Sequence, residues 1–325
     1  MIIDFHNHYY PPEYLTELRN GSSRYRITDD ADGNPVLHSP GDYNIVVPGH
    51  RDASFRTGVL DDAGVDKQVV TFTAPGTAME TPERAVELCV IVNNALAGVV
   101  SDYRGRYSTL ATLPMQDPEA AVAEFVRVTT ELGMPGAMLF SNASGVALSD
   151  ERFWPLYEVA NDLESVLYIH PTYPVGVEAM TDYMLMPMVG FLMDTTLATA
   201  SLIYAGVAER FPRIRWVLAH LGGAVPYLAE RFDRGYEAYP ECRANISTPP
   251  SEQLKRFYYD TVNFNPKALE FAIDFAGVDR ILAGSDYPHQ IGSLDKMISS
   301  LQAVDLTPED RAKILGGNAA KLLGL

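Results

Sequence analysis

Eight short apolar runs, separated by stretches with helical patterning, constrain the fold of this 325-residue chain more than any other feature. Some of these runs, such as residues 165–170, are almost continuously apolar instead of alternating between apolar and polar residues. This pattern is typical of strands in a parallel sheet that is covered by helices on both faces. The predicted strands are residues 1–8, 67–73, 107–114, 136–141, 165–170, 215–220, 257–262 and 280–286.

Eight strands that alternate with helices are the number required for a (β/α)8 barrel of the TIM type. The predicted helices are residues 55–63, 82–103, 117–132, 151–162, 185–210, 224–237, 266–276, 294–303 and 307–323. The alternative is a doubly wound open sheet, which normally carries a glycine-rich phosphate loop after an early strand. The nearest match, Leu221-Gly222-Gly223, is too short for that loop. We therefore predict an α/β barrel that forms a single domain over residues 1–325.

Residues 20–55 interrupt the alternation shortly after the first strand. They are polar and rich in turn residues, with Asp29–Pro35 between two short β-like runs, Arg24–Thr28 and Val36–His38. A segment of this kind cannot bury a core of its own. We interpret it as a small hairpin insertion in the barrel.

Charge and composition limit the partners of the protein. The chain has 25 basic and 42 acidic residues, a net charge of −17, which argues against nucleic acid or an anionic membrane surface as a partner. Its sequence contains no leader-like pattern and no unbroken apolar run that approaches 18 residues, so we expect a cytoplasmic protein without a membrane span. Its two cysteines, Cys89 and Cys242, make no disulfide framework.

Five side chains with metal-binding or acid–base chemistry occur at the carboxyl ends of predicted strands: His6, His8, His170, His220 and Asp286. Side chains two residues apart on a strand point to the same face, so His6 and His8 face one way. A single histidine at such a position is more often a structural residue at the edge of the core, hydrogen-bonded to the backbone, than a metal ligand. The carboxyl ends of barrel strands meet at one mouth, however, and imidazole is a common metal ligand. The five residues together therefore predict a metal site there.

The same residues carry a resemblance to a known family. The motifs are Ile3-Asp-Phe-His-Asn-His8, Leu113-Pro-Met-Gln-Asp-Pro118, Ala219-His-Leu-Gly-Gly223, Gly284-Ser-Asp-Tyr-Pro288 and Leu315-Gly-Gly-Asn-Ala-Ala320. As a set they resemble the amidohydrolase superfamily. More narrowly, they are similar to the branch of 2-amino-3-carboxymuconate-6-semialdehyde decarboxylase and related aromatic-acid decarboxylases.

This resemblance implies a set of roles. His6, His8, His170 and Asp286 would hold one divalent metal ion, zinc by preference and manganese as the alternative, and His220 would be the catalytic acid or base, assisted by Asp286. Three imidazoles, a carboxylate and an open position suit zinc. We expect His220 to titrate near neutral pH, as free imidazole does. Binuclear members use a lysine at the end of strand four; here that strand ends at Ser141, so one metal ion is expected.

The residues that bind substrate are harder to predict. Semialdehyde decarboxylases hold a substrate carboxylate with an arginine from the early hairpin, but the matching position here falls near Leu37 and His38. Arg51 and Arg56 are the nearby candidates, although Arg56 could instead be a structural ion-pair partner. His289 could contact substrate or cap the following loop.

The predicted function is that of a metal-dependent decarboxylase, a carbon–carbon lyase that acts on a small aromatic or muconate-like carboxylic acid. A hydrolase or hydratase of a lactone, amide or enol acid could use the same residues. A non-catalytic metal-binding protein is a further alternative, but a structural zinc site is closed and needs no spare histidine such as His220. The resemblance also implies a homodimer.

Overall fold

The computed structural model describes residues 1–21, 23–39 and 41–325, and strands alternate with helices along most of this length. The strands are β1 (Ile3–Tyr9), β2 (Arg26–Asp29), β3 (Pro35–Ser39), β4 (Asp42–Ile45), β5 (Lys67–Phe72), β6 (Tyr107–Thr109), β7 (Gly136–Phe140), β8 (Asn142–Ala143), β9 (Val146–Ala147), β10 (Val166–His170), β11 (Arg215–Leu218), β12 (Tyr258–Asp260) and β13 (Ile281–Leu282). The helices are α1 (Pro12–Asn20), α2 (Pro48–Arg51), α3 (Ala53–Ala63), α4 (Pro82–Asp102), α5 (Pro118–Thr130), α6 (Trp154–Asp162), α7 (Phe191–Tyr204), α8 (Val207–Arg210), α9 (Val225–Ala238), α10 (Pro250–Leu254), α11 (Pro266–Ala276), α12 (Leu294–Gln302), α13 (Pro308–Ala312) and α14 (Asn318–Leu323).

Eight parallel strands close into a barrel. One group has the order β1-β5-β6 and the other β13-β12-β11-β10-β7. Backbone hydrogen bonds join the two groups at both edges: Met138 N donates to Ala111 O at 2.8 Å, and Phe5 N donates to Ala283 O at 2.8 Å. Parallel bridges at Ala111–Ala137 and Asn7–Tyr287 mark the same junctions. The predicted (β/α)8 barrel is thus confirmed.

Two apolar layers hold the barrel together. A small cluster fills its interior and includes Phe5, Met138 and Tyr168, while a larger one packs the outer faces of the strands against the helices. Strands covered on both faces need apolar residues on both, which explains the almost continuously apolar runs in the sequence. The polar side chains at the carboxyl ends of the strands lie above the interior cluster.

The insertion after β1 lies within the predicted residues 20–55 but contains one strand more than predicted. It forms a three-stranded antiparallel sheet in the order β2-β3-β4, so the two-strand hairpin interpretation missed β4. Asp42–Ile45 is polar and mostly half-buried or exposed, and it lacks the apolar alternation that marks a strand. Residues 22 and 40 of this segment lie outside the described part of the chain.

Two helical stretches, Pro82–Asp102 and Met186–Tyr204, are long and apolar enough to cross a membrane when judged by length and composition alone. In the barrel, 33% and 50% of their most apolar windows are buried. Core helices of globular proteins meet the same criterion, so this finding is weak evidence for a membrane span.

Candidate metal centre and active site

Strand β1 carries His6 and His8 to the carboxyl end of the barrel, where both side chains are buried. The two residues share one face of the strand because its side chains alternate with a period of two. Their ring centroids are 4.9 Å apart, and their Nε2 atoms approach to 3.1 Å. The predicted orientation of this pair is therefore what the structure shows.

Three other strand ends complete the group. Asp286 Oδ1 lies 2.9 Å from His8 Nε2 and 3.4 Å from His6 Nε2. The ring of His170 lies 5.2 Å from that of His6, and the ring of His220 lies 4.9 Å from it. All five residues predicted from the sequence thus meet in one site.

The arrangement fits a single divalent cation. Ligand atoms about 2.0–2.2 Å from a tetrahedral zinc ion lie roughly 3.3 Å from one another, close to the separations among His6 Nε2, His8 Nε2 and Asp286 Oδ1. The ligand-capable atoms of His6, His8 and His170 also lie within 4.8 Å of one another. The Nδ1–H of His6 donates to Asp260 and that of His170 donates to the Pro171 carbonyl, so each Nε2 keeps a lone pair for a cation.

The electrostatics of the site also favour a cation. Burial disfavours the charged form of His6, yet Asp260 and Asp286 raise its pKa to about 10. Burial likewise opposes ionisation of Asp286, but hydrogen bonds from His6 and His8 keep its pKa well below the usual range. Two buried carboxylates therefore require a positive charge, which a proton on His6 supplies when no cation is bound. An incoming cation would displace that proton.

Asp260 is the residue that the sequence analysis missed. Its carboxylate is buried and accepts four hydrogen bonds, from His6 Nδ1 at 2.7 Å, the Tyr168 hydroxyl at 3.0 Å, His220 N at 3.0 Å and Val262 N at 3.0 Å. Asp260 thereby orients both a candidate ligand and the candidate acid–base residue. It ends β12, so the rule that selected the other five residues could have found it.

His220 lies in a tight turn directly after β11. Its φ is 56°, that of Leu221 is 54°, and that of Asp286 is 58°, a left-handed conformation that is uncommon for residues other than glycine. Among the described residues, the buried Nδ1 of His220 has no hydrogen-bond partner. Burial, and next the charge of His6, lowers the pKa of His220 to about 4. The expectation that His220 titrates near neutral pH is therefore wrong for this site without a bound cation.

The surroundings of Arg56 argue against the sequence prediction that it binds substrate. Its guanidinium is buried, and all of its N–H groups are directed at neutral oxygens: Gly49 O at 2.9 Å, Asn7 Oδ1 at 3.0 Å, Gln68 Oε1 at 3.0 Å, His8 O at 2.6 Å and Tyr287 O at 3.4 Å. The alternative, an ion-pair partner, is also wrong, because none of these atoms belongs to a carboxylate. Arg56 instead links β1, β5 and the loop after β13 behind His8.

Arg51 and His289 have different surroundings. Arg51 donates to Val46 O at 3.1 Å and to Asn34 Oδ1 at 3.2 Å, so it braces the hairpin. Within the described residues, no hydrogen bond joins Arg51 to the histidine cluster. The ring of His289, in contrast, lies 4.5 Å from that of His8, and its Nδ1 lies 3.2 Å from Nε2 of His50. The sequence analysis did not single out His50.

Comparison with known proteins identifies the family. A model of the amidohydrolase family matches residues 3–325. The chain belongs to this family. Among its relatives, it is 34% identical over 247 residues to a 2-amino-3-carboxymuconate-6-semialdehyde decarboxylase of Dictyostelium discoideum, which covers 75% of this chain and 68% of that protein. The predicted resemblance to this branch is confirmed.

Solved structures agree with this family assignment. A 5-carboxyvanillate decarboxylase of Sphingomonas paucimobilis is 26% identical with a TM-score of 0.87, and the match covers 100% of this amidohydrolase and 99% of that chain. A dihydroxybenzoic acid decarboxylase of Polaromonas sp. JS666 is 25% identical with a TM-score of 0.83. The match covers 100% of this chain and 97% of that chain. The Polaromonas structure contains bound manganese and an inhibitor, 2-nitroresorcinol.

Proposed function

We propose that this amidohydrolase is a metal-dependent decarboxylase of a small aromatic or muconate-like carboxylic acid. The observation that carries the proposal is one buried site in which His6, His8 and Asp286 have the spacing of ligands to a single ion. A ligand atom of His170 lies within 4.8 Å of those of His6 and His8, and one of His220 lies within 4.8 Å of those of His6 and Asp286. The similar proteins named above, which are all decarboxylases, support the reaction type.

The residues divide the work of decarboxylation. A divalent ion bound by His6, His8, His170 and Asp286 would polarise a substrate oxygen and stabilise negative charge on it. Protonation of the carbon that bears the carboxylate then allows that group to leave as carbon dioxide.

His220 is the candidate for the proton transfer, because its Nδ1 has no other partner within the part of the chain that the structure describes. At rest the imidazole is neutral, and once protonated it is a strong acid towards the substrate carbon, because burial destabilises its charged form. Asp260 holds the backbone of His220 in place.

We propose zinc as the ion and manganese as the alternative. The alternative is based on the similar Polaromonas structure, which contains bound manganese. One ion per chain is expected, because the fourth barrel strand ends at Phe140 and the next residue, Ser141, has its hydroxyl already bonded to Asp194. Elemental analysis of protein loaded with excess metal should plateau near one equivalent. The double variant His6→Ala/His8→Ala should lose the ion but remain folded, and full occupancy in that variant would refute the ligand assignment.

Release of carbon dioxide is the decisive test of the reaction. Metal-loaded protein should release it from at least one member of a panel of hydroxybenzoates and muconate-like acids, and protein treated with a chelator should not. Hydrolysis or hydration of lactones, amides or enol acids without release of carbon dioxide would show that the same site performs the alternative reaction.

A homodimer and a cytoplasmic location remain proposals from the sequence. Several exposed apolar residues on and just before α7, Met184, Met188, Met193 and Leu197, lie at near-helical spacing and support association with a second copy. Light scattering should give a mass near twice 35.8 kDa.

A further inference from the structure

A cavity of about 280 Å³ lies at the amino end of the barrel, on the face opposite to the candidate metal centre. Its lining includes four arginines that begin or precede three strands: Arg213 and Arg215 at β11, Arg256 at β12 and Arg280 at β13. These three strands are neighbours in the sheet, so the arginines come together at one cavity. In a chain with a net charge of −17, this is a local concentration of positive charge.

The four guanidinium groups make few hydrogen bonds with the protein, although each has five N–H donors. Among the described residues, three of them make one hydrogen bond each: Arg213 to Asp162 Oδ1, Arg215 to Leu322 O and Arg256 to Pro212 O. In the same part of the chain, the guanidinium of Arg280 makes no hydrogen bond and lies over the ring of Tyr258, 4.8 Å from its centroid. Most of these donors are therefore available to a ligand.

Acidic side chains do not neutralise the cluster. Two exposed carboxylates pair with it: Asp162 with Arg213 at 2.5 Å and Glu164 with Arg215 at 3.6 Å. Such surface pairs contribute little, because water and salt screen them. Within the described chain, no carboxylate pairs with Arg256 or Arg280. A third acid, Glu209, accepts hydrogen bonds from Ser247 and Gln253 instead.

Two buried polar atoms beside the arginines point to a ligand independently of the charge. Trp216 and Gln253 line the same cavity, and each side chain is 3% exposed. The indole Nε1 of Trp216 and the amide Oε1 of Gln253 have no hydrogen-bond partner among the described residues. Buried polar groups nearly always have one. A protonated phosphate group offers an acceptor oxygen to the first and an O–H donor to the second.

We propose that this cavity is a binding site for a phosphate group, either free phosphate or the phosphate of a small metabolite. The planar guanidinium binds two phosphate oxygens at once, and arginines on three strands surround a tetrahedral group better than a planar carboxylate. The volume suits a phosphate group or a small phosphate monoester, since one water takes about 30 Å³ in the liquid. Phosphate binding here is independent of the proposed function, because the cavity lies at the other end of the barrel.

Tryptophan fluorescence provides a local measurement. The chain has two tryptophans, so Trp154→Phe leaves Trp216 as the only one. Metal-loaded Trp154→Phe protein would be titrated with sodium phosphate and, at equal ionic strength, with sodium chloride. Phosphate should give a saturable change in Trp216 emission, and chloride should not. Chelator-treated protein should give the same phosphate curve. An equal response to chloride, or a response that requires the metal, would overturn the proposal.

Substitution of single arginines tests the ligand contacts. Arg256→Gln and Arg280→Gln should each weaken phosphate binding about 10- to 100-fold, the range expected for hydrogen bonds to a charged group. Arg104→Gln is the matched control, because Arg104 is exposed and is not part of the cavity lining. It removes the same charge and should leave binding unchanged. Equal weakening by all three substitutions would show a response to net charge alone and overturn the proposal. Calorimetry on protein that retains Trp154 would measure the same constants.

The chemical class of the ligand is tested with two further compounds. Glycerol 3-phosphate should bind, and its affinity relative to that of inorganic phosphate shows whether a metabolite or the free ion is preferred. Benzoate, with one charge and two oxygens, should affect Trp216 emission much less than phosphate does. Benzoate binding as tight as that of phosphate would overturn the phosphate assignment.

Thermal unfolding separates a binding site from arginines that only support the fold, which is the usual role of residues on this face of a barrel. Phosphate should raise the melting temperature of the wild type relative to chloride, because a ligand that binds only the folded state stabilises it. Most of this rise should be lost in Arg280→Gln. A variant with a lower melting temperature but an undiminished response to phosphate would show a purely structural role and overturn the proposal.

Discussion

Single residues at this centre are recognisable from the sequence when they end a barrel strand. They are difficult to recognise when they lie on another element and contact a strand from outside the site. His6, His8, His170, His220 and Asp286 all follow apolar runs, and the barrel brings them together. Arg56 and His50 lie in the short helices between β1 and β5, away from any strand end, and only the packed structure shows their partners. The role of a buried arginine depends on which oxygens surround it, and neighbouring residues in the sequence do not contain that information.

His220→Ala should keep its metal and lose most turnover. General acid–base residues contribute about 10²–10⁴-fold to rate, so the loss of kcat should lie in or above that range while substrate affinity changes less. Turnover, metal content and melting temperature should be measured on the same sample. A metal-loaded His220→Ala variant with near wild-type kcat would remove His220 from the mechanism.

Asp260→Asn should weaken metal binding without removing a ligand. The amide is a poorer acceptor for His6 Nδ1–H than the carboxylate is, and residues that orient metal ligands typically contribute 10–100-fold to affinity. Competition with a chromophoric chelator would measure the change. Unaltered metal affinity together with unaltered kcat would mean that Asp260 has only a structural role.

Arg56→Met should destabilise the fold by at least about 3 kcal/mol, because several buried oxygens, among them His8 O and Gly49 O, lose their donor. Urea unfolding of the metal-loaded protein would measure this loss. Arg51→Met, which removes hydrogen bonds on the hairpin, should cost no more than about 1 kcal/mol. Similar losses in the two variants would contradict the distinction between them.

Among the secondary-structure elements, the sequence predicted the eight barrel strands and most helices, because apolar periodicity reports which faces are buried. The predicted strands were too long at β6 and β13, because strand pairing ends after Thr109 and after Leu282. The π-helical turns Met186–Gly190 and Lys313–Gly317 were predicted as ordinary helix. Such turns are set by packing against neighbouring elements, which a local pattern does not record.

Two glycines in regular elements give a matched test of strand packing. A Cβ on Gly136, at the start of β7, would lie 1.9 Å from the carbonyl oxygen of Val166 on β10, whereas one on Gly98 in α4 would meet no atom within 4 Å. Gly136→Ala should therefore separate the two strands and lower the melting temperature by several degrees. Gly98→Ala should stabilise its helix by about 0.5–1 kcal/mol. Thermal unfolding of both variants checks this, and a stable Gly136→Ala protein would contradict the close approach.

The stability of the whole molecule should depend on pH when the protein is stripped of metal. Burial first, then neighbouring positive groups, holds the pKa of His8, His50 and His170 well below 6.5, and lowers that of His220 to about 4. Between about pH 6.5 and 4 the unfolded chain therefore binds more protons than the folded one, and stability falls as pH falls. Burial raises the pKa of Asp4 and Asp42 to about 6 and also raises that of Asp194, which opposes this trend. The histidines outnumber these carboxyls, because burial also lowers the pKa of His289.

His6 gives the opposite dependence on the alkaline side. Its pKa of about 10 means that the folded state binds the extra proton above pH 6.5, so its stabilising contribution is lost as pH rises towards 10. Melting temperatures of the chelator-treated protein from pH 4 to 10 should therefore peak near neutrality. A profile that stays flat between pH 4.5 and 7 would show that the histidines are not held neutral by burial.

The barrel closes where the first strand meets the segment after the last one, and the proposed metal ligands lie on both sides of that junction, at His6 and His8 and at Asp286. During translation, β1 is synthesised before the other barrel strands and can pair with β5 early. The partner of its other edge, the segment after β13, is synthesised only near the end of the chain. A nascent chain that stops before Asp286 lacks both the closing strand and one of the four ligands. If these residues hold the ion, the complete set of ligands exists only after Asp286 has been synthesised and the barrel has closed.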